Sequence, residues 1–520
     1  MKRTFLALST VFALSLAGAP VSGHEGHIHE AVSAEKLGTV HFAISAGREA
    51  QKDFDRAVAL LHSFEYEQAE KEFRGIADRD PKCGMAFWGI AMCNYHPIWG
   101  PTTQTEFERG RDAIGTAVKL GGKTDREQGY IAAIDTYYKA ADRLDASMRK
   151  AAYESAMERM HQRFPDDMEA TVFYALSILG NASATDKTYV KQKKAAELLN
   201  SVLPQAPNHP GVAHYLIHSL DYPGLAALAL PAARAYSKIA PSAPHAQHMP
   251  SHIFTRLGLW DESIHSNLEA AKAARELMAR TLPGSTYFEE LHAMDYLAYA
   301  YLQLGKGDAA KGIVDAIHAV AKVNQETFSA AYAFAAVPAR YALERHEWVD
   351  AAKLDVTPAW FPWDKFAWAE ALTQTARGIG AARSGNVSAA RAALARMDTL
   401  YRAVAGVKEG YDWASQVDVQ RREVGGWIAR AERNDEEAIR SLRSAADLED
   451  SIDKHPVTPG ALLPAREQLA DLLVEVGKAE EAIPAYEAVL KSSPGRRNSL
   501  RGLEQAKRDL SATDPSSAPR

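Results

Sequence analysis

Apolar residues along this chain recur in steps of three and four, the spacing that gathers them on one face of an α-helix. The helical stretches come in pairs, separated by Gly, Asn or Pro. The last pair is the clearest: LLPAREQLADLLVEVGKAEEAIPAYEAVLKSSP, numbered from Leu463 as position 1, sets Leu469-Ala470, Gly477, Ala482, Tyr486 and Pro494 in a regular frame. The same frame fits Tyr66, Ala69, Phe73 and Pro81 in a unit starting near Ala50, and continues near Gly84 with AFWGIAM as a first helix. Pro207 and Pro241 close two more units, the second starting at Pro210. Others start at Pro244 (Leu257-Gly258, Trp260, Ile264) and at Leu291 (Leu297-Ala298, Tyr301, Gly305, Ala310). The Pro207–Pro241 spacing of 34 residues is the period of a stacked helical hairpin.

Segments 124–180, 325–352 and 365–400 keep helical spacing with looser turns, as in GAARSGNVSAARAAL, while 353–363 (KLDVTPAWFPW) interrupts it. Period-two β-branched runs are nearly absent. The pattern predicts an all-α solenoid of roughly ten hairpins with insertions. One hairpin array spans 41–320 and a second 321–510, followed by a flexible tail over 511–520.

Within that frame the histidines share a phase. His214 and His218 stand at positions 5 and 9 of the Pro210 unit, and Asp221 at position 12. His245, His248 and His252 occupy positions 2, 5 and 9 of the Pro244 unit; His292 and Asp295 take positions 2 and 5 of the Leu291 unit. Steps of three and four make one helical stripe. It lies opposite the packing positions, which hold Ala213, Leu216, Ile217 and Leu220 in one unit and Met294, Leu297, Ala298 and Tyr301 in another. The stripe is therefore expected to face the groove. His62 and His96, also 34 apart, sit at the ends of first helices and are secondary candidates.

Histidines at i and i+4 are a familiar ligand pair, and neighbouring helices about 8–10 Å apart let facing rings meet at one ion. His214, His218, His248 and His252 make a near-rectangular array, with Asp221, Glu290 or Asp295 as oxygen ligands or supporting partners. Nitrogen and oxygen donors without thiols favour zinc, copper(II) or iron. A groove histidine can also simply bind a peptide or a carboxylate, and Pro250 removes a hydrogen bond from the helix carrying three of these rings. A further cluster, HEGHIHE, begins at His24, where a terminal amine and imidazole could chelate copper if cleavage follows Gly23; a loosely scavenging His-rich segment over 24–40 is the plainer reading.

Of 520 residues, 47% are hydrophobic and 24% charged. Lys2 and Arg3 precede an apolar run from Phe5 to Ala19, and Val21-Ser22-Gly23 offers small residues for cleavage, so 1–23 reads as an export signal. The mature chain is then expected in the periplasm or outside the cell, without a membrane span. The net charge of −6 falls to −8 once Lys2 and Arg3 leave, which argues against nucleic-acid partners. Cys83 and Cys93 are read as buried packing thiols on one helix, about 15 Å apart and too distant to bridge. Trp88, Trp99, Trp260, Trp360, Trp363 and Trp368 are expected to fill core or line the groove. NYHPIWG and KHPVTPG read as helix-end turns, with His96 and His455 as outer candidates. No phosphate-binding loop, dinucleotide fingerprint or nucleophile elbow is present.

The repeat units resemble the tetratricopeptide repeat (TPR) superfamily over most of residues 41–510. That resemblance implies a right-handed superhelix whose concave groove binds a protein or peptide. The motifs HYLIHSLD, HAQHMPSHIFTRLGLW, ELHAMDYLAYAYLQLG and KHPVTPGALLPARE resemble those of a group of exported bacterial TPR proteins, and imply no activity. Ordinary peptide clamps of the superfamily line the groove with Lys, Arg and Asn; here His and Asp stand there. Three functions compete. One is an exported solenoid holding a transition metal for metal handling or metal-dependent partner binding. Another is a metalloenzyme activating water or dioxygen at an open metal position, with Asp221, Glu290 or Asp295 as general base. The last is a metal-free scaffold of the cell envelope.

Overall fold

Helix follows helix with short turns between, throughout the residues that the computed structural model describes: 35–98, 102–139, 141, 143–407 and 411–513. The predicted signal 1–23, His24, Trp99 and most of the 511–520 tail lie outside the described residues; the helix Arg497–Thr513 runs into the start of that tail. Among the described residues there is no strand, only an isolated bridge between Thr286 and Val323.

The expected hairpins are present. Arg48–His62 pairs with Tyr66–Arg79, Pro210–Leu220 with Leu230–Ile239, Phe288–Gln303 with Gly307–His318, and Ala465–Glu475 with Ala479–Ser492. Phe288–Gln303 also packs on Phe328–Glu344, and Ala367–Arg383 on Trp413–Ala431, so alternate helices touch as a solenoid requires. Gly258, Gly305 and Gly477, at φ of 70°, 70° and 77°, make the hairpin turns with a left-handed backbone that costs glycine nothing. In the first hairpin Phe64 holds this conformation instead, at φ 57°, a strained choice for a bulky residue. The looser segments are regular too: Asp125–Tyr138, Ala146–Arg163 and Met168–Leu179 fill 124–180, and the Pro- and aromatic-rich 353–363 is an irregular connection after the short helix Trp348–Ala351. Cys83 and Cys93 are free and buried at the two ends of one helix. Trp88, Trp260 and Trp368 are buried, whereas Trp360 is 44% exposed and fills no core.

The apolar interior forms two large clusters, one drawn from residues 37–254 and the other from 274–506. The histidine stripe lies on helices that serve both, Pro210–Leu220 in the first and Phe288–Gln303 in the second. It avoids the packing positions as expected, with Ala213, Leu216, Ile217 and Leu220 buried in the first cluster. It is nonetheless shut off from solvent: His214, His245, His248, His252 and His292 are each at most 2% exposed, and His218 7%. Residues 452–464 account for part of this cover. Asp453 N–H donates to Ala184 O at 3.0 Å, and its carboxylate meets Lys187 at 2.6 Å. Further along, Tyr296 Oη donates to Thr458 O and Tyr332 Oη to Gly460 O, both at 3.2 Å. The KHPVTPG motif is thus a crossing segment rather than a simple helix end.

His455 anchors this segment, packed against Trp413, Tyr411 and Phe328 with centroids 5.0–5.2 Å away. Burial pushes its pKa down from 6.5 to about 3. A group depressed in the folded state stabilises fully above its unfolded value and loses that contribution as pH falls through the gap. Between pH 6.5 and 5 the loss from His455 is expected to be about 2 kcal/mol. Thermal melts of wild type and His455→Leu at pH 7 and pH 5 test this. The variant should lose less stability on acidification, and equal losses would refute the assignment.

Candidate metal centre

Two groups of three histidines converge, each ring offering one nitrogen. In the first, His214 Nε2 lies 3.0 Å from His218 Nε2 and 3.1 Å from His245 Nε2. In the second, His248 Nε2 lies 2.9 Å from His252 Nε2, and His292 completes the group with its ring centroid 4.0 Å from that of His248.

The grouping differs from a rectangle of 34-residue pairs. Each i, i+4 pair stays together, but the third ring comes from the next helix at a different offset: His245 joins His214, and His292 joins His248. His218 and His252, one of the two 34-spaced pairs, stand 6.3 Å apart by centroids. Stacked helices are rotated relative to one another, so a residue one turn earlier on the neighbour comes opposite. Pro250 marks the break between helices Pro244–His248 and Pro250–Arg256, yet Met249 keeps helical angles (φ −52°, ψ −36°) and the His248–His252 pairing survives.

Hydrogen bonds on the far side of the rings set the tautomers. His214 Nδ1 lies 2.6 Å from His62 O, a carbonyl that can only accept, so Nδ1 carries the proton. His245 Nδ1 faces the Glu289 carboxylate at 3.2 Å, and His252 Nδ1 faces Asp221 at 3.1 Å. His248 Nδ1 donates to Asn267 Oδ1 at 2.6 Å; the Asn267 amide is oriented by its own bond to Ser263 O at 2.7 Å. With the protons outside, His214 and His245 face each other with bare Nε2 lone pairs, and so do His248 and His252. Two acceptors at hydrogen-bond distance repel unless a cation lies between them. Burial, followed by the neighbouring imidazoles, holds His214, His218, His248 and His292 well below the usual histidine range, so a proton is a poor cation between His248 and His252. Burial lowers His252 as well, with Asp221 opposing.

A third cluster has the opposite polarity. His62 Nε2 and His209 Nε2 each lie 2.9 Å from a different oxygen of Glu169. His62 Nδ1 meets Tyr215 Oη at 2.9 Å, and His209 Nδ1 accepts from Val212 N–H at 3.3 Å. Every donor there has an acceptor, so this trio is a closed hydrogen-bond network. It supports the first group through the His62 carbonyl, which is how the fold brings His62 to the site.

The carboxylates are occupied. Asp221 meets Arg256 at 2.8 Å and Lys454 at 3.3 Å as well as His252. Burial would raise its carboxyl, but Lys454 and Arg256 outweigh that and hold it well below the usual range. Asp295 pairs with Arg340, and burial still pushes its carboxyl up. Glu290 turns to Arg275 at 2.7 Å, one helical step away from the stripe. Its neighbour Glu289 is the one that meets a ring. The signal was available: Glu289 precedes His292 by three residues and shares its face, whereas Glu290, two residues before it, lies on the opposite side of the helix. Asn267, Arg256, Lys454 and Tyr296, whose Oη is 3.2 Å from His252 Nδ1, carried no such signal. His96 joins no group; its Nε2 lies 3.0 Å from Cys93 O and its ring packs on Tyr66.

Phe64, held in its left-handed turn, packs its ring against His214 (4.4 Å), His245 (5.6 Å) and His218 (5.7 Å). It helps exclude water from the first group. Beyond residues 454–460 lies a cavity of about 670 Å³, lined by Trp368, Trp413, Tyr411, His455, Gln420 and Glu423 among others.

No protein-family model matches the chain, and no curated protein does. Among solved structures, yeast Tom70 aligns over 91% of this chain and 98% of its own, at 12% identity and a TM-score of 0.33. Human IFIT1, as a dimer with PPP-AAAA, aligns over 92% and 99%, at 13% identity and a TM-score of 0.39. The TPR domain of P58(IPK) aligns over 90% and 99%, at 12% identity and a TM-score of 0.20. No helix among the described residues is long and apolar enough to cross a membrane. By its own repeats and helices, the chain is an all-α, TPR-like helical solenoid.

Proposed function

We propose that this protein binds transition metal through the histidines inside its solenoid, as an exported metal-handling protein or one whose partner binding depends on metal. The observation that carries the reading is the inward turn of the Nε2 atoms, with Glu289, Asp221, Asn267 and the His62 carbonyl placed as acceptors against the outward Nδ1 atoms. Metal-bound histidines are held by this kind of outer partner. An all-imidazole set suits zinc, copper or iron. Export is supported by the signal-like pattern over 1–23, and a protein or peptide partner by the repeat fold.

Elemental analysis of the protein isolated from its native compartment tests the proposal, repeated on His214→Ala and His248→Ala. Wild type is expected to carry metal, with each variant losing some or all of it. A metal-free wild type, or two variants that retain the full complement, would leave the metal-free scaffold as the reading.

One observation favours a metalloenzyme as the second reading: each group supplies three protein nitrogens, the number that leaves a fourth position for an exchangeable ligand. Asp221 is tied to Arg256 and Lys454 and Glu290 faces Arg275, so of these carboxylates Asp295, which meets Arg340 through one oxygen, is the one left to act as a base beside the metal-bound ligand.

A further inference from the structure

The two histidine groups are neighbours. His245 and His248 belong to different groups yet stand three residues apart on one helix, with ring centroids 6.3 Å apart. His218 and His252, again one from each group, are also 6.3 Å apart. Within each group the ligating atoms lie within 4.8 Å of one another, close enough for one ion to reach all three, and the six rings form two such groups rather than one. Two-metal sites hold their ions about 3.5–4 Å apart, a span that one oxygen bound about 2 Å from each ion can bridge.

Charge narrows the chemistry further. An imidazole ligates a metal only as the neutral ring, and the place is buried, so two divalent ions on six such donors would bring four positive charges into a low-dielectric interior. The nearest carboxylates do not offset this: Asp221 already faces Arg256 and Lys454, and Glu289 touches the first group only through His245. A small anion on the remaining coordination positions lowers the total charge, and one anion reaches both ions when they are this close.

We infer that the two groups form a single dinuclear centre, one ion on His214, His218 and His245 and one on His248, His252 and His292, bridged by a hydroxide-sized oxygen ligand. This rests on the metal-binding reading above and goes beyond it in stoichiometry and in the shared ligand.

The test loads the full folded chain with copper(II), removes excess, and measures copper per chain together with the integrated electron paramagnetic resonance signal. Wild type is expected to hold two coppers per chain with far fewer than two spins, because the bridge couples them. His218→Ala and His292→Ala, each removing a ring from one group, are expected to hold one copper with one full spin and helical content equal to wild type by circular dichroism. One copper per chain in wild type, or two with two independent spins, overturns the pair while leaving the metal-binding reading intact. No copper overturns both. Wild-type stoichiometry and spin count decide the matter even if a variant fails to fold.

Discussion

Arg496→Met is expected to cost about 3–5 kcal/mol of stability, the range for removing one partner from a buried ion network. Arg496 is fully buried and reaches Glu467 through two parallel bonds of 2.7 Å, Glu344 at 2.8 Å and Tyr299 Oη at 3.3 Å. The bonds join the turn after Ala479–Ser492 to helices Phe288–Gln303, Phe328–Glu344 and Ala465–Glu475, clamping the last hairpin onto the middle of the array. Methionine fills much of the volume but leaves two buried carboxylates facing each other without a counter-charge. Burial already pushes Glu344 up despite the arginine. Urea and thermal unfolding of variant and wild type measure the loss, and Arg496→Met with Glu467→Gln should recover part of it. A single-variant loss below about 1 kcal/mol would show that the network contributes little beyond its own desolvation.

Asp221→Asn is expected to weaken metal binding at the His248, His252 and His292 group by about 10–100-fold, the usual cost of losing an outer partner of a metal-bound histidine. The substitution preserves shape, and its effect comes from polarity. Arg256 donates to Oδ1, while Lys454 and His252 share Oδ2, so the new amide keeps its oxygen on Arg256 and puts its NH2 toward His252 Nδ1, leaving Lys454 to Pro456 O. His252 must then accept at Nδ1 and carry its proton on Nε2, the atom that faces His248. Zinc titration against a competing chelator measures the change. Loss confined to one ion, with the His214 group unaffected, is the expected signature. Unchanged affinity for both ions would mean that the Asp221 contact does not set the His252 tautomer.

How much of this was legible beforehand follows from which interactions are local. The hairpin period, the turn glycines at 258, 305 and 477 and the stripe at 214, 218, 245, 248, 252 and 292 all depend on spacing within one helix or on a fixed repeat. They appear where the pattern puts them. Glu290, expected at the site, faces Arg275 instead, and its neighbour Glu289, three residues before His292, meets His245. The rectangle around one ion failed because it treated adjacent helices as untwisted, and a rotation between them changes which rings meet.

What the sequence by itself determined, then, is the helical hairpin array and the shared face on which six imidazoles lie, since side-chain direction along a helix depends only on residue number. The tertiary structure alone decided the division into two groups, the burial of both beneath Phe64 and residues 452–464, and the tautomers set by His62 O, Glu289, Asn267 and Asp221. Each of these depends on atoms distant in sequence, such as Lys454 on Asp221, brought together by packing that no local spacing encodes.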